Sequence, residues 1–403
     1  MAGNWEEEFP MLKHWIFLDA ANAMIPGRYW LNEMRECIDI YEAAPYGVAD
    51  HPFLTAVFNE CINRSARLIH AKKSEVTNIY RVMTAANLII NDLVKWEKGD
   101  NVVFSDLDYP SIPFILMNLR RKRGVELRRI RNVNGEILTS DLEKCIDDHT
   151  KLVSINRTTP WCGFSYDMEE VCEIAHEHGS LVLDDAIQSV GAVDVDVNKG
   201  DVDFLLTGSY KWQCGPEGAG IFYVKEELID EFDQDFSNYI WSEVPGGIPF
   251  SRPDHDNMTS WSHPLVMTAN RFDMGVCVTP ILFGWNATLK FYEKVGIGNI
   301  ERSVRALGSY AVERLKDAGC RVLTPDDPKK RHGLIVYTTG SYEEDMEVYK
   351  ALDSPWTGEK PIKASLRGIG RVIGIRVSCH FFNTKYDIDS LIEAQNKIRK
   401  RKR

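Results

Sequence analysis

The stretch Leu181–Val224, LVLDDAIQSVGAVDVDVNKGDVDFLLTGSYKWQCGPEGAGIFYV, decides the fold. Three apolar runs in it, Leu181–Asp184, Phe204–Thr207 and Gly220–Val224, have strand length and are separated by turn-forming residues. Open α/β sheets hold their ligands beyond the carboxyl ends of the strands. At that position the first run is followed by Asp185 and Gln188 in the spacing D-x-x-Q. The second is followed within a few residues by Lys211, ahead of Gly215, Gly218 and Gly220. An acid and a lysine thus face one crevice.

Outward from this stretch, Thr77–Tyr80, Asn101–Phe104, Glu126–Ile130 and Lys151–Ile155 complete seven expected strands that alternate with helical patterns. That alternation is the signature of βαβ units around a largely parallel sheet. Asp167 followed by Glu170 spells a capping box, Val171, Ile174 and Ala175 form the stripe behind it, and Gly179 is the stop. A second helix is expected from Thr84, with Ala85, Leu88, Ile89, Leu93 and Trp96 on one side, ending before Gly99. From Leu228 to Ser262 periodicity fades among Tyr239, Trp241, Pro245, Gly246, Gly247, Pro249 and Pro253, a long excursion that suits an active-site wall, an interface or filler. Helical patterns return at Pro280–Tyr292 and Asn299–Ala318. The runs Arg321–Leu323, Leu334–Tyr337 and Gly374–Ser378 and a helix from Asp387 follow, the order of a second, smaller α+β domain.

The chain has 403 residues, 44% hydrophobic and 27% charged, which excludes disordered and fibrous classes. A formal net charge of −11 argues against a nucleic-acid partner. The nine cysteines are scattered, without C-x-x-C pairs or zinc spacing, which leads to the expectation of a reducing, cytoplasmic home and no metal. No signal-peptide pattern or long apolar run suggests a membrane partner. The basic run Lys397–Arg403 reads as a solvated helix end. His176 and His178 sit at a helix end, where they suit the dipole better than a metal. No G-K-[ST] follows Gly215–Gly220, so these glycines are not a phosphate-binding P-loop.

A facing lysine and acid suit pyridoxal 5′-phosphate. That cofactor needs a lysine to hold it as a Schiff base and an acid to keep its ring nitrogen protonated, so that the ring accepts electrons from a substrate carbanion. A partly desolvated lysine also serves as a proton shuttle. Spacing alone equally fits a strand-end aspartate and a surface lysine.

Three further segments narrow the choice. D-A-I-Q-S-V-G (Asp185–Gly191), D-V-D-F (Asp201–Phe204) and G-S-Y-K-W-x-x-G-P-E-G-A-G (Gly208–Gly220) together resemble the cofactor-lysine region of class V aminotransferase-like enzymes. This group within fold type I of the pyridoxal-phosphate enzymes includes cysteine desulfurases, kynureninases and isopenicillin N epimerases. F-L-D-A-A (Phe17–Ala21) resembles the family's entry segment, and I-R-V-S-C-H-F-F-N-T (Ile375–Thr384) its substrate-carboxylate motif, so the resemblance spans nearly the whole chain. It implies an arm at residues 1–18, a large cofactor-binding α/β domain at 19–262 with a mainly parallel seven-stranded sheet, and a small α+β domain at 263–403. It also implies a homodimer.

By the same resemblance Lys211 is the cofactor lysine, Asp185 the partner of the ring nitrogen, and Gln188 the partner of the ring hydroxyl. Tyr109 stacks on the ring, and Arg376 clamps the substrate carboxylate, a task suited to a bidentate guanidinium. Met83, Thr84 and Ala85, at a helix start rich in free N–H groups, hold the phosphate, and Ser209 adds a hydroxyl. Asn22, Tyr109 and the 228–262 excursion are the candidates for the side-chain pocket.

The chain departs from the family pattern in several places. R-V-M-T-A-A-N lacks the usual glycine-threonine phosphate loop, and Tyr210 replaces a histidine. Gly275-Val276 stands where a glycine-threonine pair reaches across many dimers, with Thr279 nearby, and no cysteine occurs between Ala351 and Arg376, where desulfurases carry their sulfur acceptor. Cys379 reads as packed, and no second arginine for an acidic side chain stands out. The implied activity is breakage of a bond at Cα of an amino acid. A lyase of side-chain bonds is preferred, an aminotransferase or epimerase is the alternative, and an inactive scaffold comes last.

Overall fold

The computed structural model describes residues 5–43, 52–232, 266–273, 278–353 and 360–400. In chain order its strands are β1 (Ile16–Phe17), β2 (Val76–Asn78), β3 (Asn101–Ser105), β4 (Glu126–Ile130), β5 (Thr150–Asn156), β6 (Leu181–Asp185), β7 (Phe204–Gly208) and β8 (Gly220–Val224). β9 (Arg321–Val322), β10 (Leu334–Thr338), β11 (Ile362–Lys363), β12 (Ser365–Ile369) and β13 (Val372–Ser378) follow.

Strands β2 to β8 form one sheet in the order β2-β8-β7-β6-β5-β3-β4. All neighbours from β7 to β4 are parallel, while β8 runs antiparallel to both β7 and β2. Alternate residues of the same strands feed two cores. Val103, Val153, Val182 and Leu205 join the cluster on one face, and Val102, Leu152, Leu183 and Leu206 the cluster on the other. A sheet covered on both faces accounts for the unbroken apolar runs in the sequence.

The helix Met168–Glu177 is capped by the Asp167 carboxylate, which accepts the Glu169 N–H at 3.1 Å, one residue earlier than a capping box implies. Gly179 leaves the helix at φ +70°. The helix expected from Thr84 begins at Val82 (Val82–Leu88) and passes into a π turn, Ile89–Leu93, well short of Gly99. The Trp96 indole N–H donates to the Ile90 carbonyl at 2.7 Å and so occupies an acceptor that a longer helix would use.

A second sheet, antiparallel in the order β12-β13-β10-β9, packs with the helices Ile297–Asp317 and Lys385–Lys400 around Leu307, Leu315, Ile335, Ile375 and Leu391. Ile16 and Leu18 belong to that same core, because β1 pairs in parallel with β11. The helix Thr279–Val295 lies against the helices Arg28–Ala43 and Pro52–Leu68, with Leu282, Trp285 and Leu289 in the first core. The excursion begins as a short helix, Glu226–Ile229, but residues 233–262, Trp241 among them, lie outside the described residues, as does Gly275-Val276. No helix among the described residues is long and apolar enough to cross a membrane.

Candidate active site

The carboxyl ends of the neighbouring strands β7, β6, β5 and β3 open on one edge of the sheet. Asp108, just after β3, ties two of those ends together: its carboxylate accepts the Ser105 N–H at 2.7 Å and the Asn156 N–H at 2.9 Å. Burial raises its pKa to about 7 against those bonds. Asn156 in turn accepts the Tyr109 N–H at 2.5 Å, which fixes the backbone from which that half-exposed ring projects.

Asp184 and Asp185 end β6 and alternate across the sheet. Asp184 turns to Arg157, whose Nε lies 2.7 Å away. Asp185 faces the edge, where its carboxylate accepts the Ile187 N–H at 3.2 Å. Burial pushes its pKa up to about 6, while the Ile187 bond, the Lys211 charge and the Asn156 side chain pull the other way.

Lys211 follows β7 in a loop tied by Ser209, whose N–H donates to Ala219 and whose carbonyl accepts Gly215 N–H, both at 2.9 Å. The Ser209 hydroxyl donates to the Pro216 carbonyl, so its proton secures the loop. Lys211 Nζ lies 5.7 Å from the Tyr109 ring centre and 5.8 Å from that of Tyr210. Burial lowers its pKa to about 8, with Arg376 and Arg367 adding to the fall and Asp185 and Asp19 opposing it.

Gln188 is held on both sides. Its Nε2 donates to the Ala21 carbonyl at 3.0 Å, and its Oε1 accepts the Trp212 indole N–H at 2.8 Å. An indole only donates, so this contact fixes which way the amide points and leaves one N–H on Nε2. Gly191, at φ +94°, lets the two loops meet: a Cβ there would lie 2.5 Å from the Trp212 carbonyl oxygen.

Arg376, on β13, is 1% exposed. Its Nε donates to Ser365 Oγ at 3.1 Å, Nη1 to the Pro160 carbonyl at 3.3 Å, and Nη2 pairs with Asp19 at 3.5 Å. Each terminal nitrogen keeps a second N–H, together a fork for a carboxylate. Burial, then Arg367, lower its pKa to about 10 against Asp19. Asn22 is exposed in the turn beyond Asp19, to which its N–H donates at 3.0 Å, and Met24 N–H reaches the Tyr210 carbonyl at 2.8 Å.

The helix start Met83–Ala85 follows β2, whose last residue Asn78 pairs with Ile221 beside Thr207, and so sits at the same sheet edge. Thr84 is exposed, and its backbone N–H is turned in to the Arg81 carbonyl at 3.0 Å, leaving its hydroxyl. Thr84 and Ala85 line a cavity of about 30 Å³ with Asn78, whose buried amide has no partner among the described residues.

Elsewhere, a cleft of about 690 Å³ lined by His70, Asp167, Asp196 and Lys330 holds none of these candidates. His176 faces Asp203 and His178 faces Asp148, each at 2.9 Å.

The structure adds residues that the sequence reading missed. Asp19 and Asn156 carried a signal, as polar residues ending apolar runs. Ser365 and Arg367 carried only the alternation of a short strand, and Trp212 none.

With this geometry in view, comparison with known proteins is decisive. The family model for aminotransferase class-V matches residues 16–391. The chain belongs to that family. Curated relatives include a probable cysteine desulfurase of Halalkalibacterium halodurans, 26% identical over 355 residues, covering 83% of this chain and 80% of the relative. A cysteine desulfurase of Escherichia coli is 27% identical over 346 residues, with the same coverage. Among solved structures, the apo cysteine desulfurase of Thermococcus onnurineus matches with TM-score 0.83 at 23% identity, over 98% of this chain and 97% of that one. The cystine C–S lyase C-DES, solved with its product cysteine persulfide, matches with TM-score 0.83 at 18% identity, over 96% and 98%.

This class V member is accordingly a pyridoxal-phosphate-dependent enzyme of the α/β fold expected from its sequence. Its residues fit the cofactor. A lysine drawn down to about 8 shares a crevice with a buried acid, Gln188 keeps a spare N–H beside them, and the Asn78 amide, without a partner among the described residues, lies beside the Met83–Ala85 helix start.

Proposed function

We propose that the chain is a lyase that breaks the C–S bond of a cysteine derivative and releases the sulfur fragment to solution. The observation that carries this reading is the state of its thiols. Cys162, Cys214 and Cys379 are buried, and burial pushes them up to about 11, 12 and 12, so none offers a thiolate at neutral pH. The sequence has no cysteine between Ala351 and Arg376. Sulfur detached in the crevice therefore meets no ready acceptor among the described residues. The relatives named above make sulfur amino acids the first substrates to try.

Pyridoxal phosphate, when bound, supplies an electron sink for the bond at Cα. Lys211 would hold the cofactor, Asp185 the proton on its ring nitrogen and Gln188, through its spare N–H, the ring hydroxyl. Tyr109 would lie against the ring, and Met83, Ala85 and the Thr84 hydroxyl would serve the phosphate. The Arg376 fork takes the substrate α-carboxylate, and anchorage from Ser365, Asp19 and Pro160 keeps it from turning away. Lys211, whose pKa burial draws down to about 8, takes the Cα proton in its neutral form. The C–S bond then breaks with its electron pair on sulfur, which Lys211 can protonate. With one water, R–S–CH2–CH(NH3+)–COO− becomes R–SH, pyruvate and ammonium.

The same reading includes the 19–262 and 263–403 division, a cytoplasmic setting and a homodimer. Exposed Tyr109, Phe114 (67%) and Met117 (48%), beside the site and along the helix Ser111–Arg123, support the homodimer. The test is to incubate the cofactor-loaded protein with cysteine and S-ethylcysteine in heavy water, without an amino acceptor. Pyruvate, ammonia and free thiol support the lyase. Alanine with protein-bound persulfide points to a desulfurase, and α-proton exchange alone to an aminotransferase or epimerase.

A further inference from the structure

The strand that carries Arg376 also reaches the lysine loop. β13 ends at Ser378, and two residues later the His380 ring lies against Trp212, with ring centres 5.4 Å apart. His380 is fully buried. Its Nε2 is 2.8 Å from the Trp212 carbonyl oxygen, and the Phe381 N–H donates to its Nδ1 at 2.8 Å. A carbonyl only accepts and a peptide N–H only donates, so Nε2 carries the ring proton and Nδ1 is bare. One neutral tautomer satisfies both contacts, and burial, which lowers the pKa to about 4, keeps it neutral.

The turn that His380 touches is held at three carbonyls. The Lys211 carbonyl accepts the Cys214 N–H at 3.0 Å, the Trp212 carbonyl takes a second hydrogen bond from the Tyr292 hydroxyl, and the Cys214 carbonyl accepts the Tyr29 hydroxyl at 2.6 Å. Cys214 itself stands at φ +53°, a conformation that a residue with a side chain adopts only where its surroundings impose it. Three donors from distant segments, Tyr29, Tyr292 and His380, thus converge on one short turn. Of the three, His380 lies four residues beyond Arg376. Its own N–H is fixed by the Asn383 side chain at 2.8 Å, whose Nδ2 donates in turn to the Phe17 carbonyl at 2.9 Å. A lysine on its flexible four-carbon stem does not fix its own amine, so the place of Nζ depends on the backbone it leaves, and a misplacement of about 1 Å costs on the order of 10²-fold in rate.

We infer that His380 is a positioning residue for the reaction: through the Trp212 carbonyl it holds the Lys211 turn in register with Arg376, so that the amine meets Cα of a substrate whose carboxylate the fork has bound. This rests on the assignment of cofactor and proton transfer to Lys211 above, and not on the choice of a lyase.

Two substitutions divide the two contacts. Asparagine and glutamine amides place their polar atoms near the Nδ1 and Nε2 positions of an imidazole. His380→Asn therefore keeps an acceptor for Phe381 and loses the donor to Trp212, and His380→Gln does the reverse. Both lose the ring, and their Tm should fall alike. Each cofactor-loaded protein is titrated with pH and followed by the cofactor's visible absorption. Loss of the α-proton of S-ethylcysteine in heavy water, a step that lyase, aminotransferase and epimerase share, is followed by proton NMR; where that compound does not react, the absorption alone decides. His380→Asn should slow proton loss about 30-fold at saturating substrate, with KM within about twofold of wild type. It should also move the absorption midpoint by about half a pH unit or more. His380→Gln should stay close to wild type in both. Equal loss in the two variants, in step with their Tm, overturns the inference by making His380 a packing residue. A rise in KM at unchanged rate overturns it by placing the effect on Arg376. If both variants fail to fold, Tyr292→Phe, which deletes the second donor to the same carbonyl, carries the test: a several-fold slower rate at unchanged KM supports the inference, and an unchanged rate overturns it. Lys211→Ala tests the assignment beneath: if it keeps the wild-type pH titration, that assignment fails and the inference falls with it. If α-protons are lost and no thiol is released, the lyase reading alone fails.

Discussion

The two walls of the crevice are built in different ways. On one, each functional group rides the end of its own strand, and β3, β5, β6 and β7 are neighbours whose register fixes how Asp108, Asn156, Asp185 and Lys211 approach one another. On the other, Arg376 depends on Ser365, Pro160 and Asp19, which the chain brings from 11, 216 and 357 residues away. In the proposed reading, proton chemistry sits where sheet hydrogen bonds already hold the atoms, and recognition sits where distant segments close on each other. Damage to the first wall should therefore appear in kcat, and damage to the second in KM.

The largest effect expected is from Lys211→Ala, which breaks the first wall's chemistry: turnover should fall by about 10³-fold or more, measured under saturating substrate. Asp184→Ala attacks the same wall from behind. It leaves the Arg157 guanidinium without its carboxylate in a largely buried position, and urea melts should show a loss of about 3 kcal/mol. Asp185→Asn should act in the opposite direction on stability. An acid whose pKa rises on folding from 3.8 to about 6 costs stability when ionised, and that cost appears as pH rises through this window. The apoprotein carrying Asp185→Asn should gain about 2–3 kcal/mol at about pH 8 and almost nothing at about pH 3, while losing catalysis. The smallest effect sharpens the contrast. Ser365→Ala removes the hydroxyl between Asp19 and Arg376 and should raise KM several-fold, about 1 kcal/mol, with kcat unchanged; an equal fall in kcat would mean that the two walls are not separable.

The same difference explains what the sequence disclosed. The placement of Asp185, Gln188 and Lys211 was legible because a strand end, a turn and a short loop are local events with local spacing, while their roles came from likeness to a family; the inner strands of the main sheet were legible as apolar runs, and Glu126–Ile130, with three charged residues, by its alternation with helical patterns. Arg376 was reached only by its likeness to a family motif. Arg367 was not seen, because β12 is five residues long and its facing is set by pairing with β13 rather than by any periodicity of its own. Trp212 looked like one more apolar residue beside the lysine, and only the fold shows that its indole N–H is spent on Gln188. The early end of the helix after Thr84 was hidden for a similar reason, since the group that stops it belongs to Trp96, a residue the apolar stripe had counted as part of the helix.

The short pairing of β1 with β11 has a consequence for synthesis. Ribosomes deliver the amino end first, yet Ile16 and Leu18 have no core to enter until β11 and the strands after it exist, and Asp19 meets Ser378 and Arg376 only near the end of translation. The strands up to β8 can pair while the chain is still growing, so the catalytic wall is made during translation and the binding wall at its close. A nascent chain that stalls before residue 378 would thus display Lys211 and Asp185 on a formed sheet edge but hold no finished grip on a substrate.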